Sequence, residues 1–229
     1  MTANGYYNQI RHDVLSHVPT DVRRVLSTGC GEGCTEKQLV GRGVHVTGIE
    51  LNPEAAAIAA SVGINVVCGD ACGIGPGVAG SSYDCLLYAD VLEHIADPQS
   101  VILHHMRFLA PNGVVIVSVP NFRHYSVLFQ LFLLGRVRYC DAGILDRTHV
   151  RITTRRLVQD WFAKCDVATT RIDYRFNRRR DSFLSFLSCG LLNEFLATQV
   201  IVVGALKGMR PHSALDPNCE TRTVPFAQI

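Results

Sequence analysis

The chain has 229 residues, with 22 basic and 20 acidic side chains for a formal charge of +2. That length suits one α/β domain, and so small a charge excludes nucleic-acid binding as a default. Nine cysteines form an odd count without C-x-x-C, and several lie in apolar runs, so they read as small buried hydrophobes in a reducing compartment. No apolar run is long enough to span a bilayer and no signal-peptide core is evident, so a cytoplasmic location is expected.

In chain order, residues 6–17 have helical spacing, with Ile10, Val14 and Leu15 on one face and Pro19 as the stop. A short strand, 25–27, leads into a glycine-rich loop, and a helix is expected over 36–40. A second strand, 44–50, ends in Glu50. Pro53 opens the next helix, and a third strand, 64–67, runs into Gly69 and Asp70. Residues 74–82 read as loop, 83–88 as a fourth strand, and 101–109 as a helix. Pro111, Asn112 and Gly113 supply a turn before a fifth strand, 114–119, nearly all apolar and so buried on both faces. Thr153 or Thr154 caps a helix running to Cys165, and two more strands fall at 167–176 and 198–207. Insertions occupy 121–151 and 178–196, and residues 208–229 read as an extended tail. Alternating strands and helices predict a Rossmann-like, doubly wound α/β fold with a seven-stranded, mostly parallel sheet. One domain over 1–207 is expected.

The glycine loop is Gly29-Cys30-Gly31-Glu32-Gly33, and Glu50 closes the following strand. Glycines let backbone approach a ligand closely, and a carboxylate at a strand tip can accept hydrogen bonds from a ribose diol. The spacing is G-x-G-x-G rather than the dinucleotide G-x-G-x-x-G, and the loop contains no basic residue. An adenosine ligand without phosphates therefore fits better than NAD, and S-adenosylmethionine is the candidate. The C-x-x-x-C pairs Cys30/Cys34 and Cys68/Cys72 fall within the expected cofactor loops, which argues against metal binding by thiolates.

Four segments in order, VLSTGCGEG, GIELNPEA, GDA and YDCLLYADVLEHIADP, followed by LAPNGVVIVSVPN, resemble the class I S-adenosylmethionine-dependent methyltransferases over about residues 20–176. The segment DAGILDRTHVRITTRRL resembles a bacterial subgroup acting on small molecules and in sugar pathways. The resemblance implies that Gly29, Cys30 and Gly31 wrap the methionine part of the cofactor. By the same resemblance Glu50 holds the ribose, Leu51 packs on the adenine, and Asp70 accepts from its amino group beside the Ala71 amide. Ala89 and Asp90 line the approach to the sulfonium. The family usually carries an acid at the position of Ser27, so either weaker cofactor affinity or compensation by another acid such as Glu32 or Asp90 is expected.

Methyl transfer to a hydroxyl or amine needs placement, water exclusion and a base. His94 is the first candidate base, with a packing role beneath the cofactor as its alternative; His149 is the second. His124 and Tyr125 follow the fifth strand where an acceptor pocket opens, and Tyr7, with Tyr6, belongs to an N-terminal lid or to packing. Asp90, Glu93 and His94 have i, i+3, i+4 spacing that suits a divalent metal, although an ordinary turn explains them and no metal is expected. Asp146 and Arg147 are expected to pair and fix the insertion. The apolar insertions read as an acceptor pocket or lid, then as a homodimer interface, with membrane association last. The expected activity is methyl transfer to oxygen, or nitrogen, of a small-molecule acceptor in a sugar or secondary-metabolite pathway, releasing S-adenosylhomocysteine. The alternatives are a non-catalytic cofactor-binding regulator and an NAD(P)-dependent oxidoreductase.

Overall fold

The computed structural model describes residues 9–73 and 82–208. Nearly all of the expected loop at 74–82, Tyr6, Tyr7, Cys219 and nearly all of the expected tail lie outside the described residues. The elements are α1 (His12–Leu15), β1 (Arg24–Thr28), α2 (Glu36–Val40), β2 (His45–Glu50), α3 (Pro53–Ser61), β3 (Asn65–Cys68) and β4 (Tyr83–Ala89). After a 3-10 turn, Leu92–His94, come α4 (Pro98–Met106), β5 (Leu109–Pro120), α5 (Tyr125–Phe132), α6 (Arg155–Lys164), β6 (Val167–Arg175), α7 (Arg179–Leu187), α8 (Asn193–Leu196) and β7 (Gln199–Leu206).

The seven strands form one sheet in the order β3-β2-β1-β4-β5-β7-β6. All pairings are parallel except those of β7, which is antiparallel to both β5 and β6. The chain runs outward from β1 through β2 to β3, then returns to the middle of the sheet with β4 on the other side of β1. The crevice at the C-terminal ends of β1 and β4 is therefore the switch point where such sheets bind ligands.

Strand alternation divides the core into two layers. Leu26, Leu86, Tyr88, Val115 and Val117 face Val101, Ile102, Val158, Trp161 and Phe162 on α4 and α6. Val25, Cys85, Leu87, Val114 and Ile116 face Val14, Leu15, Leu39 and Ala59 on the helices opposite. Residues such as Phe162 and Leu87 are fully buried, and each contributes roughly 1.5–3 kcal/mol relative to exposure.

Local capping sets several boundaries. Asn52 caps α3 by accepting from the Glu54 and Ala55 amides, with Pro53 at the first helical position as expected. Thr154 caps α6. The helix expected over 101–109 instead begins at Pro98, because Asp97 accepts from the Ser100 amide and Pro98 is preset for the first turn. Leu109 already pairs with Tyr83, so β5 starts early; the Pro111-Asn112-Gly113 turn survives as a register break before Val114 joins Cys85.

Three expectations need correction. Val14 and Leu15 are buried but Ile10 is exposed, because the described helix begins only at His12. The cysteines are less uniformly buried than expected: Cys30, Cys85 and Cys165 are buried, while Cys68, Cys72, Cys140 and Cys189 are exposed. Arg147 pairs with Asp141 at 2.9 Å rather than with Asp146, whose Oδ1 is occupied by the Thr148 amide and hydroxyl at 2.8 and 2.7 Å.

Candidate cofactor crevice and active site

The glycine loop turns sharply because Gly29, Gly31 and Gly33 have φ of 69°, 54° and 79°. Side chains rarely adopt these angles, and a Cβ at Gly33 would come within 2.3 Å of Ile64 Cδ1. The loop is anchored by the Gly29 amide donating to Ile49 O at 2.8 Å. Glu50 fastens it from below: Oε2 accepts from the Gly31 amide at 2.8 Å and Oε1 from the Asn52 amide at 2.9 Å. Each carboxylate oxygen keeps a further lone pair for a ligand hydroxyl.

Glu50, Leu51, Asn52, Pro53 and Glu54 line a concavity of about 610 Å³. Leu51 stands 71% exposed there, an apolar surface available to a flat base. A second concavity of about 480 Å³, lined by Arg24, His45 and Asn65 among others, opens where β1, β2 and β3 begin and therefore lies away from the glycine loop.

Asp70 Oδ1 accepts from the Cys72 amide at 2.9 Å, which shapes the turn after β3. Ala71 is tied down through a relay across the core. His105 Nε2 lies 3.2 Å from Ala71 O, and its Nδ1 lies 3.0 Å from the Tyr88 hydroxyl. A carbonyl only accepts, so Nε2 carries the proton and Nδ1 accepts from Tyr88. Burial pushes the His105 pKa down to about 4, which keeps this tautomeric arrangement neutral.

Ser27 is buried and donates to Glu36 Oε1 at 2.7 Å. A buried acid, Glu36 of α2, thus stands beside Ser27. Burial pushes the Glu36 carboxyl up to about 7. Neither Glu32 nor Asp90 takes this position. Asp90 has φ 54° and accepts from Ser118 Oγ at 3.0 Å, Gln199 Nε2 at 3.1 Å and Arg11 Nη1. Buried Arg11 also bonds Asp13 and Ser118, which ties the N-terminal segment to the ends of β4 and β5.

The 3-10 turn brings Glu93 and His94 against His149 of the first insertion. The His94 and His149 rings meet edge to face at 4.9 Å, and His149 Nε2 lies 3.9 Å from Glu93 Oε1. His94 Nδ1 faces Thr148 O at 3.2 Å and His149 Nδ1 faces Ile144 O at 3.1 Å. In the neutral rings each Nδ1 thus carries the proton, and each Nε2 is left as the basic nitrogen. Burial, then the neighbouring His149, lowers the His94 pKa. Glu93 is fully buried, neither carboxylate oxygen has a hydrogen-bond partner among the described residues, and burial raises its pKa to about 8. Its carbonyl accepts from the Val150 and Arg151 amides, which docks the insertion on the turn.

Glu93, His94 and His149 offer ligand atoms within 4.8 Å of one another. The metal-compatible set thus differs from the expected Asp90, Glu93 and His94, because Asp90 is turned toward Arg11 and Gln199 and His149 takes its place. His124 and Tyr125 do not sit freely in a pocket. His124 caps α5, with Nδ1 accepting from the Ser126 amide at 3.2 Å, and the Tyr125 hydroxyl accepts from Arg180 Nη2 at 2.7 Å.

Sequence reasoning missed Arg11, Glu36 and His105. A carboxylate three residues before Leu39 on the buried face of a helix was the available signal for Glu36.

This sheet order, with a glycine turn and a strand-tip glutamate at its switch point, defines a class I S-adenosylmethionine-dependent methyltransferase fold. Residues 5–170 match the family described as "Methyltransferase domain", and the chain belongs to that family. It is 32% identical over 138 residues to a ubiquinone biosynthesis O-methyltransferase of Xylella fastidiosa, covering 56% of this chain and 54% of that protein. The chain thus spans about half the length of that curated relative. Among solved structures it resembles a possible histamine N-methyltransferase of Thermotoga maritima (TM-score 0.61, 18% identity, 85% and 86% coverage). It also resembles magnesium protoporphyrin IX methyltransferase of Synechocystis with bound S-adenosylhomocysteine (TM-score 0.54, 15% identity, 80% and 73% coverage).

Proposed function

We propose that this chain transfers a methyl group from S-adenosylmethionine to an oxygen of a small-molecule acceptor, with nitrogen as the next choice. The observation that carries this reading is the His94–His149 pair beside the crevice, with both Nδ1 atoms facing carbonyl oxygens. When bound, the cofactor supplies an activated methyl group on a sulfonium. The chain's own residues supply the rest. Gly29, Cys30 and Gly31 hold the methionine end, Glu50 orients the ribose, Leu51 covers the adenine, and Asp70 with Ala71 bounds the base. Ala89 and Asp90 border the reacting end, where Asp90 is held in place by Arg11, Ser118 and Gln199. Nε2 of His94 accepts the acceptor's proton, and His149 positions that ring from its edge. The biosynthetic O-methyltransferase relative supports oxygen as the target. A hydroxylated metabolite or sugar intermediate is the acceptor class proposed.

A second reading rests on the buried Glu93 carboxyl, which has no hydrogen-bond partner among the described residues. Glu93, His94 and His149 would then hold a divalent cation that lowers the pKa of an acceptor hydroxyl.

Incubation with methyl-labelled cofactor and a panel of catechols, phenols, amines and sugar derivatives tests the activity. Label transferred to a hydroxyl supports the proposal. Tight S-adenosylhomocysteine binding with no transfer to any acceptor would favour a non-catalytic regulator. A thermal shift with NAD and none with S-adenosylhomocysteine would revive the oxidoreductase reading.

A further inference from the structure

Helix α7 is inside out. Its polar residues Asp181 and Ser185 are buried, whereas Phe183, Phe186 and Leu187 are 63%, 81% and 67% exposed. Leu191, Leu192 and Phe195 continue the exposed apolar run around α8, and Phe129, Leu131, Phe132, Leu133 and Leu134 do the same at the end of α5. The two regions are joined at their bases. The Tyr125 hydroxyl accepts from Arg180, and the Arg123 guanidinium lies 4.8 Å from the centre of the Phe195 ring. Both grow from the same sheet edge, since α5 follows the end of β5 and α7–α8 connect the end of β6 to the start of β7.

The charges around these apolar side chains are predominantly basic. Arg136 and Arg138 follow α5, and Arg178, Arg179 and Arg180 open α7, all exposed. Asp181 is buried beside Arg180, Glu194 is paired with Arg123 and Arg155, and the exposed Asp141 after Arg138 is paired with Arg147 at 2.9 Å. Ordinary surface helices of a globular domain turn such apolar residues inward. Large apolar side chains flanked by arginines instead match the interfacial layer of an anionic bilayer, where rings and leucines enter the acyl boundary and guanidinium groups meet phosphates. A second copy of the chain is a poorer occupant, because a two-fold contact through this face would bring like-charged arginines together.

We propose that α5, α7 and α8 form a monotopic docking face for a bilayer rich in anionic phospholipid. No helix among the described residues is long and apolar enough to cross a membrane, so the association is at the surface. The face lies on the crevice side of the sheet, which would present the active site to acceptors dissolved in the lipid. The binding itself does not depend on the methyl-transfer reading.

The test is co-sedimentation of the full chain with phosphatidylcholine vesicles and with vesicles containing about 30% phosphatidylglycerol. Pelleting at least tenfold stronger on the anionic vesicles, reversed by 0.5 M salt, is expected. The triple variant Phe186→Ser, Leu187→Ser, Leu191→Ser should lose that binding at least tenfold while keeping its circular dichroism and its affinity for S-adenosylhomocysteine. Arg178→Glu with Arg180→Glu should weaken it as strongly. Absence of pelleting on both vesicle types overturns the proposal, as does equal pelleting of wild type and triple variant. A concentration-dependent dimer abolished by the triple variant, without vesicle binding, would assign the face to a second copy instead.

Discussion

Ser27 Oγ donates a 2.7 Å hydrogen bond to Glu36 Oε1, linking the strand beneath the glycine turn to the helix that follows it. A carboxyl nine residues along the chain thus lies buried against the strand hydroxyl. Glu36 pays a solvation penalty there, with its carboxyl raised from 4.5 to about 7. A carboxyl raised on folding contributes stability that is complete below about pH 4.5 and is lost as pH climbs through about 7. Glu36→Gln, which keeps an acceptor for Ser27 but does not ionise, should therefore gain on wild type as pH rises from 5 to 8. The gain should approach about 3 kcal/mol at the upper end, read from urea melts at several pH values. A difference independent of pH would contradict the assignment.

Glu50→Ala removes the clamp on the Gly31 and Asn52 amides as well as the proposed ribose contact. Affinity for S-adenosylhomocysteine should fall by about 2 kcal/mol or more in calorimetry. Unaltered affinity would show that the sugar is held elsewhere.

His94→Ala should lower kcat by roughly two orders of magnitude or more, with cofactor affinity nearly intact. Because burial and the neighbouring His149 lower the His94 pKa, the wild-type rate should rise with pH on the acidic side and level off at lower pH than an ordinary histidine would allow. Unchanged turnover in the variant would remove His94 from the chemistry.

Chelation separates the two readings of the Glu93, His94 and His149 group. Full activity in excess chelator supports the base reading. Loss that added Mg²⁺ or Zn²⁺ restores, together with a cation-induced rise in Tm that disappears in Glu93→Gln, supports the metal reading.

Tyr88→Phe deletes the donor to His105 Nδ1 and leaves that buried nitrogen unsatisfied. A loss of about 1–3 kcal/mol in denaturant midpoint energy is expected, with weaker binding of the adenine end because Ala71 is released. Equal stability would mean that water or a ring flip replaces the bond.

The glycine turn, Glu50 and the Pro53 helix start were legible because each depends on neighbours within a few residues. The seven strands were legible through apolar runs bounded by turns. The antiparallel direction of β7 was not, since nothing local in Gln199–Leu206 records which way its partners run. The Arg11–Asp90 bond joins residues 79 apart, and the Tyr88–His105–Ala71 relay links a strand, a helix and a loop. Nothing in the sequence near His105 records either of these partners. The exposed face of α7 was not legible either: its mixture of Ser, Phe and Leu has no clean period, so only the fold reveals that Asp181 and Ser185 are the ones inside.

Strand β7, wedged between β5 and β6, also dictates the order in which the sheet can be finished during synthesis. Until residues 199–206 leave the ribosome, β6 has no partner and the outer rim of β5 is bare. A nascent chain halted before Gln199 would carry two open strand edges beside the apolar helices, the combination most prone to sticking to its neighbours.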